Sequence, residues 1–125
     1  MVVDDDADIA ESLAALLTLR HHDVRTAYDV ERALQVAKDF KPDAVVLDIN
    51  MPRIDGYAAA AALYRIFPSH RPRLIAFTAR TAPADLARAR QAGFDFHVSK
   101  SADTEDLLHL LGSEFSPYSD GATAS

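Results

Sequence analysis

The sequence predicts an α/β fold built on a doubly wound, five-stranded parallel sheet with helices on both faces. Three observations carry this. Five short apolar runs alternate with stretches of helical periodicity. The connections between them are short, as un-knotted crossovers in a parallel sheet require. The central run, residues 44–47, reads Ala-Val-Val-Leu, the continuous β-branched-rich pattern of a strand buried on both faces.

The elements follow in order. Met1, Val2 and Val3 supply only the end of a first strand. The apolar run expected ahead of Asp4 is nearly absent, so upstream residues are expected to be missing or to have been removed. From 7 to about 20, Ile9, Leu13, Ala14, Leu16 and Leu17 recur at spacings of three and four, predicting an amphipathic helix with Glu11 and Thr18 outward. His21, His22 and Asp23 end it. Residues 24–28 form a second strand, and 30–40 a second helix carrying Leu34, Val36, Ala37 and Phe40, stopped by Pro42. After the central strand, 57–67 is an alanine-rich helix with Leu63, Ile66 and Phe67, closed by Pro68 and Pro72.

Residues 74–77 make a fourth strand ending at Thr78. Thr81 fits a cap, with Pro83 in the first turn of a fourth helix that runs to Ala92 and stops at Gly93. This helix is mostly alanine and arginine with Leu86 its one large apolar residue, so it buries little and costs least to shift. Residues 94–98 are a fifth strand. Asp103 starts a last helix in which Leu107, Leu110 and Leu111 share a face; Leu108 falls off that face and reads as edge-of-core ahead of a contact for a partner. One domain over 1–112 and a Ser-, Gly-, Ala- and Pro-rich tail over 113–125, predicted disordered, account for the chain.

Composition narrows the function. Lys+Arg 13 against Asp+Glu 19 gives a formal charge of −6, which argues against direct nucleic-acid binding, since phosphate contacts need a basic face. The absence of cysteine excludes disulfides, thiol catalysis and thiolate metal sites. No apolar run approaches the roughly 18 residues of a membrane span and no signal-peptide pattern opens the chain, so a cytoplasmic location is expected.

The acids at the strand ends point to chemistry. Asp4, Asp5 and Asp6 follow the first strand, Asp48 ends the third, Thr78 the fourth and Lys100 follows the fifth. In a doubly wound sheet, strands one and three are neighbours, and their carboxyl ends meet where the strand order reverses. Alone, Asp48 reads equally as a loop or capping aspartate. Beside Asp4 and Asp5 it belongs to a group of carboxylates whose mutual repulsion a hard cation such as Mg²⁺ relieves. A lysine and a hydroxyl opposite them suit the oxygens of a phosphoryl group, which makes the set one for aspartyl-phosphate chemistry. Asp6 reads equally as a helix cap. His21 and His22 point about 100° apart on a helix and make a poor chelate, and His109, between leucines, reads as solvated.

Val-Val-Asp-Asp, Leu-Asp-Ile-Asn-Met-Pro-x-x-Asp-Gly, Phe-Thr-Ala, Ala-Gly-Phe-Asp and a lysine past the fifth strand occur in this order. The set resembles the receiver domain of bacterial two-component response regulators, from Val2 to about Leu111. The resemblance implies a flavodoxin-like sheet of order 2-1-3-4-5. It makes Asp48 the phosphoacceptor, Asp5 a direct Mg²⁺ ligand, Asp4 an acid acting through water and the backbone carbonyl of Asn50 the third protein ligand. Thr78 becomes the switch hydroxyl and Lys100 the phosphate-binding lysine. The implied donor is a phosphohistidine on a histidine kinase or histidine phosphotransfer protein. The implied output is an unidentified downstream protein, with a dimer through the helix 4, strand 5, helix 5 face.

Two departures from the family pattern stand out. His97 occupies the position where tyrosine or phenylalanine is commonest, as in receivers fused to hybrid histidine kinases, and becomes a candidate switch residue. Ser101 replaces the usual proline after Lys100, and a cis bond there costs about 3 to 4 kcal/mol, so a trans peptide is predicted. Two other classes compete with a phosphorylation-driven switch, which is not itself a turnover enzyme. An aspartyl-phosphate phosphohydrolase usually carries a second acid where Asn50 stands. A constitutive, non-phosphorylated interaction module would have no use for Asp5, Asp48, Thr78 and Lys100 together. The tail is too short for a DNA-binding module, which places output in another protein or another part of a longer chain.

Overall fold

A computed structural model describes residues 1–49, 56–79, 82–100, 107, 108 and 111. Five strands, β1 (Val2–Val3), β2 (Thr26–Ala27), β3 (Ala44–Leu47), β4 (Arg73–Thr78) and β5 (Phe96–Ser99), form one sheet of order β2-β1-β3-β4-β5. Every pairing is parallel. Four helices join them: α1 (Ala7–Leu19), α2 (Val30–Phe40), α3 (Gly56–Ile66) and α4 (Pro83–Ala92). Leu107, Leu108 and Leu111 are helical as well.

Alternation along the strands divides the core into two layers. Val3, Val45, Leu47, Leu74 and Ala76 face α2, α3 and α4, where they meet Ala33, Ala37, Ala59, Leu63 and Ala89. Val2, Val46, Ile75 and Phe77 face the other way, against Ala10, Leu13 and Leu17 of α1 and against Leu107, Leu108 and Leu111. Leu108, although off the face that Leu107 and Leu111 share in the sequence pattern, is buried with them in this layer, the core side of its two readings. Leu16 is not: the stripe of α1 turns past it, Ala10 is buried instead, and Leu16 stays 37% exposed.

Local chemistry sets the helix ends. Asp6 caps α1, accepting hydrogen bonds from the backbone N–H groups of Asp8 at 3.0 Å and Ile9 at 3.3 Å, and Asp29 caps α2 through Arg32 N–H at 2.7 Å. Lys41 closes α2 in the left-handed region at φ 52°. Helix α4 differs from expectation at its start. Ala82 is the N-cap residue and makes no side-chain capping bond, while Pro83 takes the first helical position; Thr81 lies outside the described residues. Strand β2 is shorter than the sequence predicts, because Val24 and Tyr28 fall beyond the two residues that pair with β1.

Two glycines are required by close approach. Gly93 ends α4 at φ 103°, and a Cβ there would lie 2.3 Å from Tyr64 Cε2. A Cβ on Gly56 would lie 2.4 Å from the Cα of Ile49, the residue after Asp48. Helix α4 buries only Ala89. It is held to α3 by the Arg88 guanidinium, 4.1 Å from the Tyr57 ring centroid, and by the Tyr64 hydroxyl donating to the Gly93 carbonyl.

Candidate phosphoacceptor and metal site

The register brings the acids together. Val3 pairs with Leu47 across β1 and β3, so Asp4 and Asp48, each one residue past its strand, emerge side by side at the carboxyl end of the sheet. The Asp48 N–H donates to the Val3 carbonyl at 3.1 Å, fixing the two strand ends to each other. Asp4 is 2% and Asp48 6% exposed, while Asp5 faces solvent. Asp4, Asp5 and Asp48 each offer a carboxylate oxygen, and these oxygens lie within 4.8 Å of one another. Such a set of hard oxygen donors, converging from two strand ends and open on the Asp5 side, fits Mg²⁺. Asn50, whose carbonyl the resemblance adds as a ligand, lies outside the described residues.

A cation of the chain already reaches the cluster. Lys100 Nζ sits 2.8 Å from Asp4 Oδ2 and donates to Asp48 Oδ2 at 2.9 Å. Its backbone N–H donates to the Thr78 carbonyl at 2.9 Å, so β4 and β5 together aim the side chain. The Lys100–Ser101 peptide, predicted trans, lies outside the described residues, since Ser101 does. Thr78 is fully buried, opposite Ser99 in the register of β4 and β5. His97 is half-buried and pairs with Ala76 in the same ladder.

Burial raises the Asp4 carboxyl above its usual value of 3.8, against the hydrogen bonds from Lys100 and from the Asp6 N–H that favour its charged form. For Lys100, burial alone would lower the ammonium. The hydrogen bonds to Asp4 and Asp48 and their charges outweigh it and hold Lys100 above 10.5. Asp4 also accepts the Asp6 N–H at 3.0 Å, so its carboxylate is positioned from within its own loop.

Sequence reasoning brought Asp4, Asp5, Asp48, Thr78 and Lys100 to one end of the sheet, and the structure places all five there. What it missed is that Lys100 bridges Asp4 as well as Asp48. It also missed Glu11, whose carboxylate accepts from the Tyr28 hydroxyl at 2.7 Å and so ties the loop after β2 to α1.

The model of the response regulator receiver domain family matches residues 1–112. The chain belongs to this family. Among curated relatives, the receiver is 40% identical over 108 residues to the transcriptional regulatory protein PrrA of Mycobacterium tuberculosis, a match covering 86% of this chain and 46% of that protein. It is 37% identical, with the same coverage, to the response regulator MprA of Mycolicibacterium vanbaalenii. The receiver thus spans about half the length of these relatives. Among solved structures, it superposes with a TM-score of 0.82 on a LuxR-family two-component response regulator from Aurantimonas, at 27% identity over 91% of this chain and 81% of that one. A complex of CheX with CheY, BeF3 and Mg²⁺ from Borrelia burgdorferi gives 0.80 at 26% identity, covering 91% and 86% of the two chains.

Proposed function

We propose that this receiver works as a phosphorylation-dependent signalling switch in which Asp48 takes a phosphoryl group from a phosphohistidine. The observation that carries the reading is the convergence of Asp4, Asp5 and Asp48 with Lys100 at one strand-end cleft. An Asp48 carboxylate oxygen attacks phosphorus as the N–P bond of the donor breaks, leaving the imidazole with the donor. Asp5, Asp48 and the Asn50 carbonyl would hold Mg²⁺, with Asp4 acting through water. Bound there, the ion neutralises charge on the phosphoryl oxygens. The Lys100 ammonium leaves Asp48 for a phosphoryl oxygen, a small rotation of a flexible stem. The Thr78 hydroxyl takes another oxygen, and His97, one strand over, changes rotamer as Thr78 moves.

The donor would be a histidine kinase or histidine phosphotransfer protein, in the cytoplasm, and the receiver is not a turnover enzyme on an external substrate. PrrA carries transcriptional regulation in its name. Since the receiver spans 46% of that protein, output is assigned to another segment or another protein, with the face of α4, β5 and the last helix as the dimer surface. The domain over 1–112 and the tail over 113–125 stand as the proposed organisation.

Intact-mass measurement after incubation with acetyl phosphate or phosphoramidate and Mg²⁺ tests this. Wild type gains one phosphoryl mass, and Asp48→Asn gains none. Equal labelling of both proteins removes Asp48 from the role.

A further inference from the structure

The end of the sheet opposite Asp48 carries a groove of about 650 Å³ between the α2–β3 and α3–β4 turns. Phe67, Pro68 and Pro72 give it apolar surface, while Lys38, Lys41 and Arg71 stand around it against a single lining carboxylate, Asp43. In a chain with 19 acids and 13 bases that balance is inverted. The ammonium groups of Lys38 and Lys41 make no ion pair among the described residues. Lys41 keeps its place at the rim in a left-handed conformation, φ 52° and ψ 67°, that glycine would fill without strain. The groove therefore suits an acidic segment with apolar anchors.

The chain carries such a segment close by. Residues 112–125 hold Glu114, Phe115, Tyr118 and Asp120 and no lysine or arginine. They begin after Leu111, which lines an adjoining groove that shares Lys41, Pro42 and Asp43 with the first. Phe115 is four residues on and Tyr118 seven, so at full extension they reach about 14 Å and about 24 Å from Leu111. Tethering raises the local concentration of the segment to the millimolar range, so weak contacts suffice to fill the groove.

We propose that this groove is a docking site for the chain's own 112–125 segment, with Phe115 and Tyr118 on its apolar surface and Glu114 and Asp120 toward Lys38 and Lys41. Docked there, the segment is drawn to the end of the sheet remote from the acid cluster. Because the chain has no cysteine, Ser119→Cys takes a nitroxide label at one place only. In the full ¹⁵N-labelled chain, the amide signals of Lys41, Phe67 and His70 should lose most of their intensity, while those of Asp8 and Leu86 keep theirs. Phe115→Ser with Tyr118→Ser, changes that lie in the tail, should restore the signals, and Lys38→Glu with Lys41→Glu should restore them too. Loss spread evenly over the surface, or loss indifferent to both pairs of substitutions, overturns the proposal. So does loss seen only between molecules in a mixture of ¹⁵N-labelled chain and separately spin-labelled chain.

Discussion

Lys100 Nζ stands 2.8 Å from Asp4 Oδ2 and 2.9 Å from Asp48 Oδ2, so one ammonium ties the ends of β1 and β3 to the end of β5. The side chains of both acids are nearly buried, at 3% and 7% exposure, and that of the lysine is 20% exposed. A buried charge that loses its partner costs far more than an exposed one. Lys100→Met should therefore destabilise the metal-free receiver by about 3 kcal/mol, with Mg²⁺ recovering part of the loss. Urea unfolding in EDTA and in Mg²⁺ measures both quantities, and an unchanged midpoint in EDTA would contradict the bridge.

The same bridge gives stability a pH signature. Folding holds Lys100 above 10.5, so its contribution is complete below that pH and is lost as pH rises through the folded value. Lys100→Arg keeps its charge in this range and should not show that loss. Asp4, held above 3.8 chiefly by burial, contributes stability that is complete below 3.8 and lost as pH climbs through its folded value. Asp4→Asn removes that acid-side slope. Thermal melts of the metal-free proteins across both windows check the two signs independently, and parallel curves for wild type and variants would disprove them.

Asp5 is the exposed member of the three acids, so Asp5→Asn removes a ligand and relieves repulsion with little loss of packing. The variant should melt higher than wild type in EDTA. In Mg²⁺ at a hundred times the wild-type Kd, wild type gains about 2.7 kcal/mol and the variant much less. Calorimetric melts with and without the ion decide this. An identical Mg²⁺ shift in the two proteins would mean that Asp5 is not a ligand.

Helix α4 begins at an Ala82 cap whose backbone, at φ −63° and ψ 151°, already has the extended shape a capping residue needs. Ala82→Ser should supply the missing acceptor and stabilise the receiver by about 1 kcal/mol. Hydrogen exchange should slow most in the first turn of α4. A variant with unchanged unfolding energy and unchanged exchange there would show that the first turn has no use for the cap.

Much of this was legible because its signals are local. Continuous apolar runs marked β3 and β4, proline and glycine marked the ends of α2, α3 and α4, and the order of the acids, Thr78 and Lys100 put the site at one edge. Three features escaped for identifiable reasons. Leu16 has the right spacing for the core, but it lines an open groove with Ile9, Leu13, Phe77 and Lys100 instead of packing inside. Strand β2 was read too long because Val24 and Tyr28 have the right composition, while pairing depends on how far β1 extends. The contact of Lys100 with Asp4 depends on a register between distant strands that no short motif encodes.

The backbone contact between Gly56 and Ile49 has a consequence for the residues between them. The Gly56 N–H donates to the Ile49 carbonyl at 3.2 Å, and the two backbones approach too closely to admit a side chain. Ile49 and Gly56 therefore form a single closed neck beside Asp48. Because residues 49 and 56 themselves close the neck, the closure entropy of the segment between them rises by only about 0.6 kcal/mol for each doubling of its length. A single methyl group at position 56 adds no length at all, yet it forces the neck open and moves the end of β3 with it.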